Sequence, residues 1–207
     1  MKTKLIKDYL NKIIPDAKCE LNYTKDYELL IATMLSAQTT DIKVNMVTKL
    51  LFEKYDTIEK LAAADIEEIK NIIRPIGTYN KKAKNIISIA NKLKENGCMP
   101  NDRDFLESLD GVGRKTTNVV LSNIYDEPLI AVDTHVSRVS KRLGLAKETD
   151  SPDQIELKLN QKFAKKDLVR LHHQLVLFGR YYCKSQKPLC ESCELKIICK
   201  HYKKLRK

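Results

Sequence analysis

Apolar residues recur along this chain at helical spacing, not at the alternation of strands. Leu5, Ile6, Tyr9, Leu10 and Ile13 share one side of an expected helix over residues 2–14, which Pro15 stops. Residues 27–37 are nearly all apolar (Leu29, Leu30, Ile31, Met34, Leu35), the pattern of a central helix, with Asp26 as its expected cap. The polar break Ser36-Ala37-Gln38-Thr39-Thr40-Asp41 follows, and Asp41 is the expected cap of a helix bearing Val44, Val47, Leu50, Leu51 and Tyr55. Two short helices come next, the second (66–73) opened by the capping-box pair Asp65 and Glu68. Pro75 and Gly77 break the chain before a helix over 81–95, with Gly97 as its stop. A short helical run then ends at Leu109, Asp110-Gly111-Val112-Gly113 makes a tight hairpin, and a new helix starts at Arg114 or Lys115. Residues 128–132 read as extended, and 134–143 as a helix closed by Gly144. Ser151-Pro152-Asp153-Gln154 combines an N-cap, a first-turn proline and a capping-box glutamine for a helix to about Phe163. A last helix runs from Asp167 through Leu171, Leu175 and Phe178 to Tyr182. The pattern gives about ten helices, no strand pair and no regular repeat. The expected fold class is all-α.

Composition agrees with this reading. At 207 residues, 43% of them hydrophobic, the chain can bury one core or two small ones, and its six glycines, six prolines and lack of tryptophan suit helices. Net charge is +11, and the excess is uneven: residues 141–207 hold 17 Lys/Arg against 7 Asp/Glu. Such a surplus suits a polyanion partner, although a solvated lysine-rich surface has the same composition. The start, Met-Lys-Thr-Lys-Leu-Ile-Lys, carries no apolar run of signal-peptide length, and nothing reaches the length of a membrane span. A cytoplasmic protein with no membrane association is expected, so its six cysteines are not expected to form structural disulfides.

Three features carry candidate chemistry. Gly111 and Gly113 can take positive φ and leave their N–H groups open beside a helix N-terminus, which suits one phosphate. Lys115 stands just beyond, and Asp133 follows eighteen residues later at the start of another helix. A phosphate-contacting lysine and an N-capping aspartate are the ordinary readings of these two. The third feature is Cys183-x6-Cys190-x2-Cys193-x5-Cys199. Four thiols this close in a reducing compartment call for a metal or a redox role. Zinc usually shows two tight pairs and only Cys190 and Cys193 form one, so the wider gaps lean toward a 4Fe–4S cluster with zinc as the alternative. Cys19 and Cys98 read as ordinary buried thiols.

Together these features resemble the endonuclease III family of the helix-hairpin-helix DNA glycosylases. The matching stretches are Leu-Ser-Ala-Gln-Thr-Thr-Asp at 35–41, Ile-Gly-Thr-Tyr-Asn-Lys-Lys-Ala at 76–83, Leu-Asp-Gly-Val-Gly-Arg-Lys-Thr at 109–116, Ala-Val-Asp-Thr-His at 131–135 and the cysteine tail, in the family's order. The resemblance implies two helical domains with a DNA-binding cleft between them. A six-helix domain would span 19–127 and contain the helix-hairpin-helix at about 106–125. Residues 1–18 and 128–207 would form a discontinuous 4Fe–4S cluster domain. It implies a bifunctional glycosylase and abasic-site lyase that excises oxidised pyrimidines from damaged double-stranded DNA, working as a monomer without an obligate protein partner. Lys115 would be the nucleophile, with partial burial and the helix N-terminus lowering its pKa. Asp133 would be its catalytic partner. Gln38 would fill the hole left by the flipped nucleotide, Thr78 would sit at the wedge, and Gly111, Gly113, Arg114 and His135 would contact DNA. Cys183, Cys190, Cys193 and Cys199 would hold the cluster, in a structural or DNA-sensing role.

Two positions depart from the family's pattern. Asp110 stands where proline is frequent; aspartate also suits a turn, and its charge would weaken phosphate binding slightly. Thr78 stands where leucine is frequent, and threonine stacks poorly as a wedge. Two other functions fit the same motifs. An adenine- or thymine-mismatch glycosylase could use this scaffold; adenine-mismatch relatives usually lack the lysine at position 115 and carry a further C-terminal domain, whereas this chain has Lys115 and stops eight residues after Cys199. An iron–sulfur DNA-binding or redox-sensing protein would use the hairpin only to hold backbone.

Overall fold

The computed structural model describes residues 2–206. Among them all regular structure is helical. The chain divides into two compact units, one of Cys19–Tyr125 and one of Met1–Lys18 with Asp126–Lys207.

The Cys19–Tyr125 unit holds α2 (Asp26–Leu35), α3 (Asp41–Lys54), α4 (Ile58–Ala62), α5 (Ile66–Ile73), α6 (Tyr79–Asn96), α7 (Arg103–Glu107) and α8 (Arg114–Ile124). Its centre is α2, whose Leu29, Leu30, Ile31 and Leu35 are wholly buried against α3, α6 and α8. Two of the three aspartate caps expected in this unit, Asp26 and Asp41, are displaced. Asp26 is the first residue of α2, and that helix start is satisfied from within. The Glu28 carboxylate accepts the N–H of Thr24 at 2.7 Å and of Lys25 at 3.2 Å. Asp41 likewise lies inside α3, because Thr40 takes the extended conformation of an N-cap (φ −74°, ψ 146°) and its hydroxyl accepts the Lys43 N–H. Asp65 does cap α5, accepting from Glu67 and Glu68. Glu68 does not reciprocate, since its carboxylate takes the Tyr55 hydroxyl at 2.6 Å and the Lys54 amine at 2.8 Å. Leu50 is 56% exposed: the inward face of α3 is Val44, Val47, Thr48 and Leu51. Helix α6 begins at Tyr79, two residues before the expected start, and stops at Gly97 with φ +78°.

The other unit holds α1 (Lys2–Ile13), α9 (Thr134–Arg142), α10 (Pro152–Lys162), α11 (Leu168–Leu177) and α12 (Lys200–Leu205). Ile6, Leu10, Ile130, Val136, Val139, Leu171, Leu175 and Phe178 form its core. The Ser151–Gln154 capping box is complete in both directions. The expected helix 167–182 is α-helical only to Leu177, and Phe178–Tyr182 widens into a π-turn. Arg138 accounts for this, donating to the Gly179 carbonyl at 2.7 Å and competing with the helical ladder. Helix α12 had no apolar stripe to announce it and buries no residue.

His173, on α11, carries a pH prediction. It is buried, beside a cavity lined also by Asp126, Lys165, Lys166 and Arg170, and burial pushes its pKa down from 6.5 to about 4. An unfolded chain takes this proton near pH 6.5 and the folded chain only near 4, so unfolding binds a proton between the two. Stability is therefore present above pH 6.5 and lost as pH falls toward 4, by about 3 kcal/mol. Thermal melts from pH 7 to 4 should show this limb in the wild type and a shallower one in His173→Gln. Parallel curves would contradict it.

Candidate active site and cysteine centre

The hairpin after α7 is held by its apolar residues. Leu109 and Val112 are buried, and the Val112 N–H bonds the Leu109 carbonyl at 3.1 Å. Gly111 has φ +79°, and a Cβ there would run into the Asn85 side-chain amide of α6 and lie 3.4 Å from Met34. Conformation and space both require glycine at 111. Gly113 differs from the expectation. It is extended (φ −119°, ψ 179°) and serves as N-cap of α8, with nothing within 4 Å of a Cβ. Its contribution is an unobstructed N–H, not a positive φ. Asp110 accepts the Ser88 hydroxyl at 2.6 Å, which ties the hairpin to α6.

Arg114 and Lys115 form the first turn of α8 and are exposed. The expected partial burial of Lys115 does not occur, because the buried face of α8 begins only at Thr117. The amine thus rises from a helix N-terminus, two residues past the glycine hairpin.

Gln38 and Thr78 share a rare conformation. Both are exposed and left-handed, with φ +56° and +57°. Gln38 lies in the loop between α2 and α3, and Thr78 is the N-cap of α6, its hydroxyl bonded to the Gly77 carbonyl at 2.7 Å. Beside them stands a residue the motif reading passed over. Lys82 is buried, and its amine donates to the carbonyls of Leu35 and Ala37, both at 2.9 Å, and to the Thr39 hydroxyl at 3.2 Å. A sequence signal existed: Lys82 falls on the stripe of Ile86, Ile89 and Leu93, where a solvated lysine does not belong.

In the other unit, Asp133 caps α9, its Oδ1 accepting the Val136 N–H at 2.7 Å. His135 Nδ1 lies 3.1 Å from Arg138. Arginine only donates, so Nδ1 accepts and the proton sits on Nε2. Arg138 also donates to the Cys183 carbonyl at 3.1 Å, linking α9 to the first cysteine of the tail.

Cys183, Cys190, Cys193 and Cys199 line a single cavity, with Tyr9, Leu143, Phe178 and Tyr182. The Cys193 N–H bonds the Cys190 carbonyl at 3.2 Å, which closes the turn between these two cysteines. Cys199 is buried and its thiol donates to the Arg142 carbonyl at 3.4 Å. Burial pushes the Cys190 and Cys193 thiols up, and the neighbouring cysteines add to the rise. Among the described residues no group of three or more His, Cys, Asp or Glu side chains is gathered as the site of a metal ion. Cys19 is half-buried and Cys98 is exposed, so neither is the fully buried thiol expected.

No helix is long and apolar enough to cross a membrane among the described residues. Residues 31–165 match the family model of the HhH-GPD superfamily of base excision DNA repair proteins. Endonuclease III of Bacillus subtilis (strain 168) is 47% identical over 199 residues, covering 95% of this chain and 91% of the relative. Endonuclease III of Escherichia coli (strain K12) is 43% identical over 193 residues, covering 92% and 91%. Among solved structures, a trapped endonuclease III–DNA covalent intermediate superposes with a TM-score of 0.93 at 47% identity, covering 100% of this chain and 99% of that one. A thermostable thymine-DNA glycosylase, 22% identical with a TM-score of 0.87, shares the fold. With the glycine hairpin, its following lysine and the four-cysteine tail in place, this chain belongs to the endonuclease III family of helix-hairpin-helix base excision DNA repair proteins.

Proposed function

We propose that the chain is a bifunctional DNA glycosylase and abasic-site lyase acting on oxidised pyrimidines in duplex DNA. The observation that carries this reading is Lys115, an exposed amine two residues past a two-glycine hairpin at a helix N-terminus. The target nucleotide must leave the stack, at a cost of a few kcal/mol that damage reduces. The N–H groups of Gly111 and Gly113, with Arg114, hold a backbone phosphate, and His135 donates from Nε2 to another. Gln38 fills the vacated hole and Thr78 sits at the wedge.

Lys115, once deprotonated, attacks the sugar C1′. The glycosidic bond breaks, and the base leaves with the bonding pair and takes up a proton. The sugar ring opens to a Schiff base on Lys115, and loss of a C2′ proton then expels the 3′ phosphate. Asp133 stabilises the positive charge that grows on the sugar or takes part in proton transfer. Its helix cap engages only Oδ1, so both roles are compatible.

The four cysteines fit a 4Fe–4S cluster better than zinc. One zinc would draw its thiolates to about 3.8 Å from each other at ~2.3 Å bonds. The four cysteines line one cavity, and their six- and five-residue gaps suit the larger object. Such a cluster, held by Cys183, Cys190, Cys193 and Cys199, supplies cross-links that pin the tail. The discontinuous unit is accordingly assigned as the cluster domain and the Cys19–Tyr125 unit as the six-helix domain. The protein is read as a cytoplasmic monomer acting at the nucleoid.

Duplexes carrying thymine glycol, adenine opposite oxidised guanine, or no lesion test the substrate class. Only the first should be nicked; excision of the mismatched adenine instead would move the assignment to a mismatch enzyme. Asp133→Asn should slow thymine glycol release about 100-fold or more. Asparagine still caps α9, so the melting temperature should hold. Equal loss of stability and rate would reduce Asp133 to a cap.

A further inference from the structure

We infer that Lys82 is a positioning residue that locks Gln38 into the conformation in which it enters the DNA. The inference rests on the functional reading above and assigns a residue to which that reading gives no part.

Lys82 is only 5% exposed, so its charge must be satisfied within the protein. Its three donors meet three acceptors: the carbonyls of Leu35 and Ala37 and the hydroxyl of Thr39. The first lies at the C-terminal end of α2, where a cation is favoured. The other two belong to the residues on either side of Gln38. A left-handed glutamine is strained relative to the ordinary helical or extended backbone, and such strain persists only where the surroundings dictate it. Here the surroundings are a turn closed by the Thr39 N–H on the Ser36 carbonyl at 3.1 Å and an ammonium gripping both flanks of Gln38.

The same residue reaches Thr78 through its backbone. The N–H of Lys82 bonds the carbonyl of Thr78 at 3.1 Å, beside that of Lys81, and these bonds anchor the left-handed N-cap to the first turn of α6. Any residue at 82 would supply that backbone bond to Thr78, whereas the grip on the flanks of Gln38 needs the amine. A hydrophobic residue on this stripe would serve packing equally well and would avoid the cost of a buried charge. The lysine is explained by what its amine holds.

The test is a double-mutant cycle with single-turnover excision as the readout. The substrates are thymine glycol in a fully paired duplex and thymine glycol in an unpaired bubble. Lys82→Met keeps the length of the side chain and removes its donors. It should slow excision from the duplex about 10- to 100-fold and excision from the bubble much less, because a bubble leaves no stacked hole to fill. Gln38→Ala should slow the duplex reaction, and adding it to Lys82→Met should cost little more. Lys82→Arg, which restores donors, should recover part of the rate. If Lys82→Met does not fold, Thr39→Val, which deletes one of the three acceptors, replaces it in the cycle with a smaller loss of the same pattern. Multiplicative losses, or equal losses on duplex and bubble, would overturn the assignment. A wild-type chain that excises neither substrate would overturn the functional reading, and the inference with it.

Discussion

Lys115→Gln should abolish strand nicking at thymine glycol, with a rate at least about 1,000-fold below wild type, while DNA binding falls by no more than about tenfold. The size of the gap is what identifies the residue. A lysine that only contacts phosphate contributes one counterion-releasing charge, and its loss is recovered by lower salt or more protein. A nucleophile cannot be recovered that way, because the Schiff base no longer forms. Gln keeps the length and polarity, and position 115 is exposed on the first turn of α8, so stability should stay within about 0.5 kcal/mol. Single-turnover nicking at saturating protein, with binding measured separately, reads the two quantities. A defect that vanishes at high protein concentration would make Lys115 a phosphate contact and leave the chemistry without its amine.

The second large effect is expected from the tail. Between Cys183 and Arg206 only Leu195 and Cys199 are buried, too little apolar surface to order that length of chain. Its hydrogen bonds to the rest of the unit run largely through Arg138 and Arg142, which hold the carbonyls of Cys183, Lys184 and Ser185. The proposed cluster would supply the remaining order, beyond the partial packing of Cys193, Ile198 and Tyr202 on the core. Cys199→Ser should therefore lose the iron and its visible absorption, and expose the tail to protease. With a loss of about 5 kcal/mol, the melting temperature should drop by about 10–20 °C. Cys98→Ser, at an exposed thiol, should change none of these. One tightly bound zinc per chain, with no iron, would replace the cluster by the alternative the spacing allowed.

Much of this was legible in the residue pattern, and the parts that were not share physical causes. Helix positions followed from periodicity, and so did the caps Asp65, Asp133 and Ser151, but two further caps did not. Asp26 and Asp41 are good caps by type, yet Lys25 and Thr40 hold the positions with the right backbone angles, and Glu28 reaches back to satisfy the first of these helix starts. Gly111 and Gly113 look alike in sequence; the proximity of Asn85 and Met34 makes one a left-handed necessity and the other an extended cap. The π-turn at Phe178–Tyr182 depends on Arg138, some 40 residues earlier, competing for one carbonyl. Lys82 was visible as a lysine out of place on an apolar stripe, but its partners lie 43 to 47 residues away. Lys115 was expected to be partly buried, and no local pattern could say that the core of α8 starts two residues later.

The most direct measurement is borohydride trapping. Wild-type protein is incubated with a duplex bearing one thymine glycol, borohydride is added, and the covalent product is digested and mapped by mass spectrometry. The expected result is a stable protein–DNA adduct whose modified peptide places the sugar on Lys115. An adduct on another residue, or release of the base with no adduct at all, would contradict the proposed lysine chemistry.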